Sequence, residues 1–117
     1  MNLTGRPIYA KGQKPAPVKA TGKDPAHLAA VSALPCVVCW EWGMAQLSPT
    51  QVHHCIHGRY GNRKTPDRMT IPLCEGHHLG DFDKSKIAIH RQPNAWRAAY
   101  GEDREWISWV EVRTGYA

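Results

Sequence analysis

Large apolar side chains are sparse over residues 1–23, where Gly5, Pro7, Gly12, Pro15, Pro17 and Gly22 alternate with basic residues. Ordering such a segment gains little burial against its entropy loss, so the pattern predicts an arm over 1–23, disordered or laid over the surface. A single domain over 24–117 should follow. At Asp24-Pro25 the pattern changes. Asp suits an N-cap and Pro the first helical position, which predicts a helix from Pro25 to about Leu34, stopped by Pro35. Residues 43–50 read as a loop. Two short apolar runs, Gln51 to Ile56 and Met69 to Leu73, read as strands joined by the Gly- and Asn-containing stretch Gly58 to Asp67. A short helix is expected after Cys74, then a polar loop over Gly80 to Lys86. Further helices are expected from Pro93-Asn94 to Tyr100, where Gly101 breaks the pattern, and over Asp103 to Thr114. Trp96, Trp106 and Trp109 fall on these amphipathic helices, which favours core packing over base stacking for the tryptophans. No internal repeat is present.

Composition changes this picture in two ways. At 117 residues the chain can bury only a limited fraction of its surface, a size at which metal staples are common. No stretch approaches the roughly 18 consecutive apolar residues a membrane helix needs, and the N-terminus has no secretory core. The expected compartment is the cytoplasm, where thiols stay reduced and four cysteines read as metal ligands. The net charge of +5 is concentrated in the arm, which holds Arg6, Lys11, Lys14, Lys19 and Lys23 and no acid. A polyanion would meet that segment first, through phosphate contacts and counterion release. Charge alone allows a solvated, solubilising tail equally well.

The chemistry lies in three windows: Cys36-x-x-Cys39, His53-His54-Cys55, and Cys74-x-x-His77-His78, with His90 following. A C-x-x-C turn presents two thiolates to one zinc, and a C-x-x-H knuckle completes the tetrahedron, so Cys36, Cys39, Cys74 and His77 form one expected set. Cys55 could replace His77 in a four-cysteine site; otherwise it packs on the first strand. On a helix, consecutive residues point about 100° apart, so His78 cannot share the ion of His77. A second site follows, with His53, His54, His57 and His90 as remaining candidates. His27, on the first helix, reads as a surface or packing residue. Arg59, Arg63, Lys64 and Arg68 crowd the hairpin connection around one acid, Asp67, and are expected to contact phosphate.

Adjacent histidines ahead of a strand hairpin, then a short helix bearing another histidine, is the layout of an HNH nuclease. The run His53-His54-Cys55, Lys64-Thr65-Pro66-Asp67, Ile71-Pro72-Leu73-Cys74-Glu75-Gly76-His77-His78, Ile89-His90-Arg91 and Tyr100-Gly101 resembles the phage Ref family. That family, named for recombination enhancement function, comprises RecA-dependent HNH nucleases; related prophage HNH nucleases are also similar. The resemblance covers about residues 30–112. It implies a small α+β, zinc-containing HNH domain (the ββα-metal or His-Me finger) with flanking helices. It further implies a structural zinc on Cys36, Cys39, Cys74 and His77, and a catalytic divalent ion such as Mg or Mn on His53, His78 and His90. His54 would be the general base, an imidazole with an ordinary pKa of about 6.5 being able to take a proton from water at neutral pH. DNA and a RecA filament are the implied partners, with the basic arm engaging them. Asn62 and Asp67 are the residues available for the middle position of the HNH signature. The competing reading is a non-catalytic zinc module that binds DNA or a recombination protein. His54 separates the two, since a structural ligand is saturated whereas a base must face water. No base-reading helix is evident, so weak sequence preference is expected.

Overall fold

The computed structural model describes residues 22–58 and 65–115, so nearly all of the expected arm and most of the hairpin connection lie outside it. Asp24 caps as its sequence implies: its Oδ1 accepts from His27 N at 3.2 Å, and Pro25 opens helix α1, Pro25–Ser32. The helix closes before Leu34 because the ring of Pro35 disfavours helical backbone at the residue before it. A second helix, α2 (Val37–Glu41), was not apparent in the sequence. Val-Val-Cys-Trp-Glu contains no strong run of helix formers; the burial of Val37, Val38 and Cys39 holds it instead.

Strands β1 (Thr50–His54) and β2 (Thr70–Cys74) pair antiparallel, with Thr50 opposite Cys74 and His54 opposite Thr70. Both are edges in the two-stranded sheet of the described residues, so Pro72 sits mid-strand without stranding a ladder bond. β2 is buried along its whole length, and runs straight into helix α3, Glu75–His78. Helix α4 spans Pro93–Tyr100 and is ended by Gly101 at φ +88°. The single helix expected over Asp103 to Thr114 is split into a 3₁₀ turn, Asp103–Trp106, and helix α5, Ile107–Thr114. Glu102 and Glu105 form a capping box at that turn.

The fold is thus a small α+β unit around a two-stranded sheet. Its core joins Val31, Val37, Val38, Ile71, Leu73, Ile89, Trp96 and Val110 to all four cysteines. Cys55 is among the buried residues and stands apart from the other three thiols, in a setting that raises its pKa through desolvation. Of the tryptophans, Trp96 is fully buried and Trp106 and Trp109 pack partly against the core. Trp40 and Trp42 are exposed instead, although Trp42 stacks edge-on against Tyr100 and Trp106. His27 is buried beneath α1. No described helix is long and apolar enough to cross a membrane.

Candidate metal centres

Two groups of metal-ligating side chains converge among the described residues: Cys36, Cys39, Cys74 and His77 in one, His53, His78 and His90 in the other. In the first, Cys36 and Cys39 come from the start of α2, Cys74 from the end of β2 and His77 from α3. Cys39 Sγ lies 3.8 Å from Cys74 Sγ, and His77 Nδ1 lies 3.6, 3.6 and 3.3 Å from the sulfurs of Cys36, Cys39 and Cys74. Zinc bonds of about 2.3 Å to sulfur and about 2.1 Å to nitrogen give tetrahedral edges of about 3.8 and 3.6 Å. These four of the six edges therefore already come within a few tenths of an ångström of those of a zinc tetrahedron. All four residues are buried, and a buried Cys₃His set of this size can hold a metal such as zinc. Within the cluster a hydrogen bond shared with Cys36 draws the pKa of the Cys74 thiol down, and the same bond, with burial, pushes that of Cys36 up. One thiolate is thus favoured before any cation arrives. The His77 ring stands perpendicular to Tyr100, with centroids 5.7 Å apart.

The second group is built from β1, α3 and the segment leading to α4. Its ring centroids lie 5.1 Å (His53 to His78), 5.1 Å (His53 to His90) and 4.9 Å (His78 to His90) apart. Hydrogen bonds fix which nitrogen of two rings is available. His53 Nε2 donates to Asp103 Oδ2 at 2.9 Å, and its Nδ1 is buried with no hydrogen-bond partner. His78 Nδ1 donates to Gln51 Oε1 at 2.7 Å, which leaves Nε2 with its lone pair. An orphaned buried ring nitrogen beside two further imidazoles is the donor chemistry of a divalent-metal site, and a carboxylate behind the ligand is its usual support. Burial, reinforced by repulsion from His53 and His90, lowers the His78 pKa to about 3, and burial lowers that of His53 as well. The group grades from buried His53 through half-buried His78 to exposed His90. Three protein ligands open to solvent on one side leave room for water or a substrate oxygen.

Adjacent residues on a strand face opposite ways, so His54 turns from the triad and joins neither cluster. Its Nε2 donates to Asp67 Oδ1 at 2.8 Å, which frees Nδ1 as a proton acceptor. Asp67 in turn takes the amide of Asp24 on Oδ2 at 2.8 Å, anchoring the pair to the start of α1. Asn62 lies outside the described residues; Asp67 is the one of the two that stands beside His54. His57 is in neither cluster: its Nδ1 accepts from Asp103 N at 3.0 Å and its Nε2 donates to the Pro93 carbonyl at 3.1 Å.

Of the basic residues expected to meet phosphate, Arg68 is drawn inward, its Nε donating to Asp24 Oδ2 at 2.5 Å. Lys23 is exposed, and Lys11, Lys14, Lys19, Arg59, Arg63 and Lys64 lie outside the described residues.

Three supporting groups carried no local signal in the sequence. Asp103 is wholly buried and also accepts the amides of Ile56 and His57, at 2.7 and 3.3 Å. Burial alone would raise its pKa, but the bonds from His53 and the Ile56 amide bring it below the usual carboxylate range. Gln51 orients His78. Glu75 receives the amides of Asp81, Phe82 and Asp83 and so folds the loop after α3 back on itself. That return lets Ile89 N and His90 N bond the carbonyls of His77 and His78 at 3.0 and 3.1 Å, delivering the third ligand. Two glycines make room for it. A Cβ on Gly76 would meet Asp83 Oδ2 at 2.6 Å, and one on Gly80, at φ +66°, would meet Ala88 Cβ at 2.5 Å.

No family model, curated protein or solved structure matches this chain.

Proposed function

We propose that this chain is a metal-dependent DNA endonuclease of the HNH type, hydrolysing phosphodiester bonds with His54 as general base. The observation that carries the reading is the division of labour among the histidines. One completes a closed cluster, three form an open one, and His54, next to the triad in sequence, belongs to neither and is held by Asp67 with its Nδ1 free. A purely structural zinc module has no use for that last arrangement. Its side chain is about a quarter exposed, at 27%, so water can reach it.

When bound at His53, His78 and His90, a divalent ion such as Mg or Mn would stabilise charge on the scissile phosphate and the leaving 3′ oxygen. His54 Nδ1 takes a proton from water as the water oxygen bonds to phosphorus. The bond from phosphorus to the 3′ oxygen breaks, and that oxygen takes its proton from solvent. Asp67 keeps the imidazole in the tautomer that can accept and stabilises the imidazolium that results. Zinc at the cysteine cluster would hold α2, β2 and α3 together and take no part in the reaction.

The test is incubation of the purified protein with supercoiled plasmid and with RecA-coated DNA, with Mg²⁺ or Mn²⁺, beside His54→Ala. Ion-dependent cleavage that falls roughly 10²- to 10⁴-fold in the variant, with zinc content and fold retained, supports the reading. Cleavage confined to RecA-coated DNA adds the filament as a partner. No cleavage on any substrate, with the variant indistinguishable from the parent, refutes the nuclease assignment.

A further inference from the structure

Between the end of α3 and the start of α4 lies a cleft of about 360 Å³ lined by Gly80, Lys84, Lys86, Ala88, Arg91 and Gln92. Its lining residues lie close in sequence to the second metal group: Gly80 follows His78 by two residues, Ala88 precedes His90 by two and Arg91 follows it directly. Two of the acids nearby, Asp83 and Glu75, are already engaged. Asp83 pairs with Lys86 at 3.6 Å, and the Glu75 carboxylate is taken up by three backbone amides. Lys84 and Arg91 form no ion pair among the described residues. Arg91 Nη1 donates to the Gly80 carbonyl at 3.0 Å, which fixes the guanidinium across the cleft while its other N–H donors remain for a ligand. A larger hollow of about 540 Å³, on the other side of the same loop, offers a contrast. It is lined by Leu47, Phe82, Glu75 and Asp83 among others and contains no cation. A polyanion has nothing to hold there.

We infer that the Lys84–Arg91 cleft binds a backbone phosphate of the nucleic acid whose neighbouring phosphodiester lies at His53, His78 and His90. This rests on the nuclease reading and adds to it a substrate-binding surface within the folded domain, separate from the basic arm. A fixed guanidinium suits the forked geometry of a phosphate oxygen pair, and a free ammonium adds a point charge beside it. The contact is to backbone, so it positions the duplex and reads no sequence.

The experiment is fluorescence anisotropy of a labelled DNA duplex with the zinc-loaded full chain, without added divalent ion, across a salt series. Lys84→Ala and Lys84→Glu are compared with Arg97→Ala, an exposed cation on α4 outside the cleft. Cleavage with Mn²⁺ is measured in parallel, and inorganic phosphate is titrated as a competitor. Loss of one phosphate contact lowers the slope of log affinity against log salt by about one in Lys84→Ala. Lys84→Glu should lower it further, with Arg97→Ala unchanged. A parent that binds and cuts DNA with slopes unaltered in both Lys84 variants overturns the cleft and leaves the nuclease standing. Equal losses in Arg97→Ala also overturn it, as general surface charge. A response to inorganic phosphate with DNA affinity unmoved by Lys84→Glu reduces the cleft to a small-anion site. A parent that neither binds nor cuts overturns both readings together.

Discussion

The cysteine cluster and the histidine triad meet at consecutive residues of one short helix, yet they are opposite in construction. His77 points into a closed set of four buried ligands whose spacing matches a zinc tetrahedron. His78 points into a set of three that ends in an exposed ring and is braced from behind by Gln51 and Asp103. The first is part of the core, since its sulfurs pack among the residues that stabilise the sheet. The second is attached to that core and exposed to solvent. One set is closed and the other open, and what parts them within a single turn of helix is the divergence of about 100° between neighbouring side chains.

The difference is sharpest in what each site should cost when broken. Structural zinc contributes on the order of 10 kcal/mol to folding in small zinc domains. Cys74→Ser is therefore expected to abolish the cooperative thermal transition and to release zinc, both measurable by circular dichroism and metal analysis. A stable, zinc-free Cys74→Ser protein would mean that the cluster is dispensable. Breaking the triad should act differently. His78→Ala should keep zinc and the melting transition while losing the second ion, read by calorimetric titration with Mn²⁺. Asp103→Asn tests the bracing, since removing such a carboxylate costs roughly 10- to 100-fold in metal affinity. It should also lower stability, because Asp103 holds two amides as well as His53. An unchanged Mn²⁺ affinity in that variant would separate the two roles.

The smallest effect is in pH. The folded pKa of His78 is lowered, so the folded state prefers the neutral ring. Its contribution is complete above the unfolded value near 6.5 and declines as pH falls from there towards about 3. With the triad unloaded, stability should drop between pH 7 and pH 5 by on the order of 1 kcal/mol once screening at a half-buried ring is allowed for, read as a lower melting temperature. His78→Gln should flatten that dependence, and loading the second ion should mask it.

Much of this contrast was legible in the residues. C-x-x-C and C-x-x-H spacing, together with the adjacency of His77 and His78, is local information about which side chains can share an ion. Asp24-Pro25, Pro93 and Gly101 set helix boundaries through backbone chemistry that acts within a residue or two. The supports were not legible. Asp103 lies 50 residues from His53, and nothing around it distinguishes an acid that opens a surface helix from one buried beneath a ligand. Asp67 is nameable only as one of two candidates beside Asn62, until the pairing of β1 and β2 brings it 2.8 Å from His54. Arg68 reads as a phosphate ligand until Asp24 claims it. Trp40 resembles core by its chemistry, yet α2 turns it outward because the same helix must face Val37 and Val38 inward.

The backbone bonds from Ile89 and His90 to the carbonyls of α3 tie the third histidine of the open group to that helix. Helix α3 is four residues long, too short to persist unaided, and it is fastened at Cys74 and His77. A newly synthesised chain that had not captured a metal at the cysteine cluster would lack that fastening of the helix carrying His78. Filling of the cysteine cluster would thus come before assembly of the histidine group, and the two sites would be loaded in a fixed sequence.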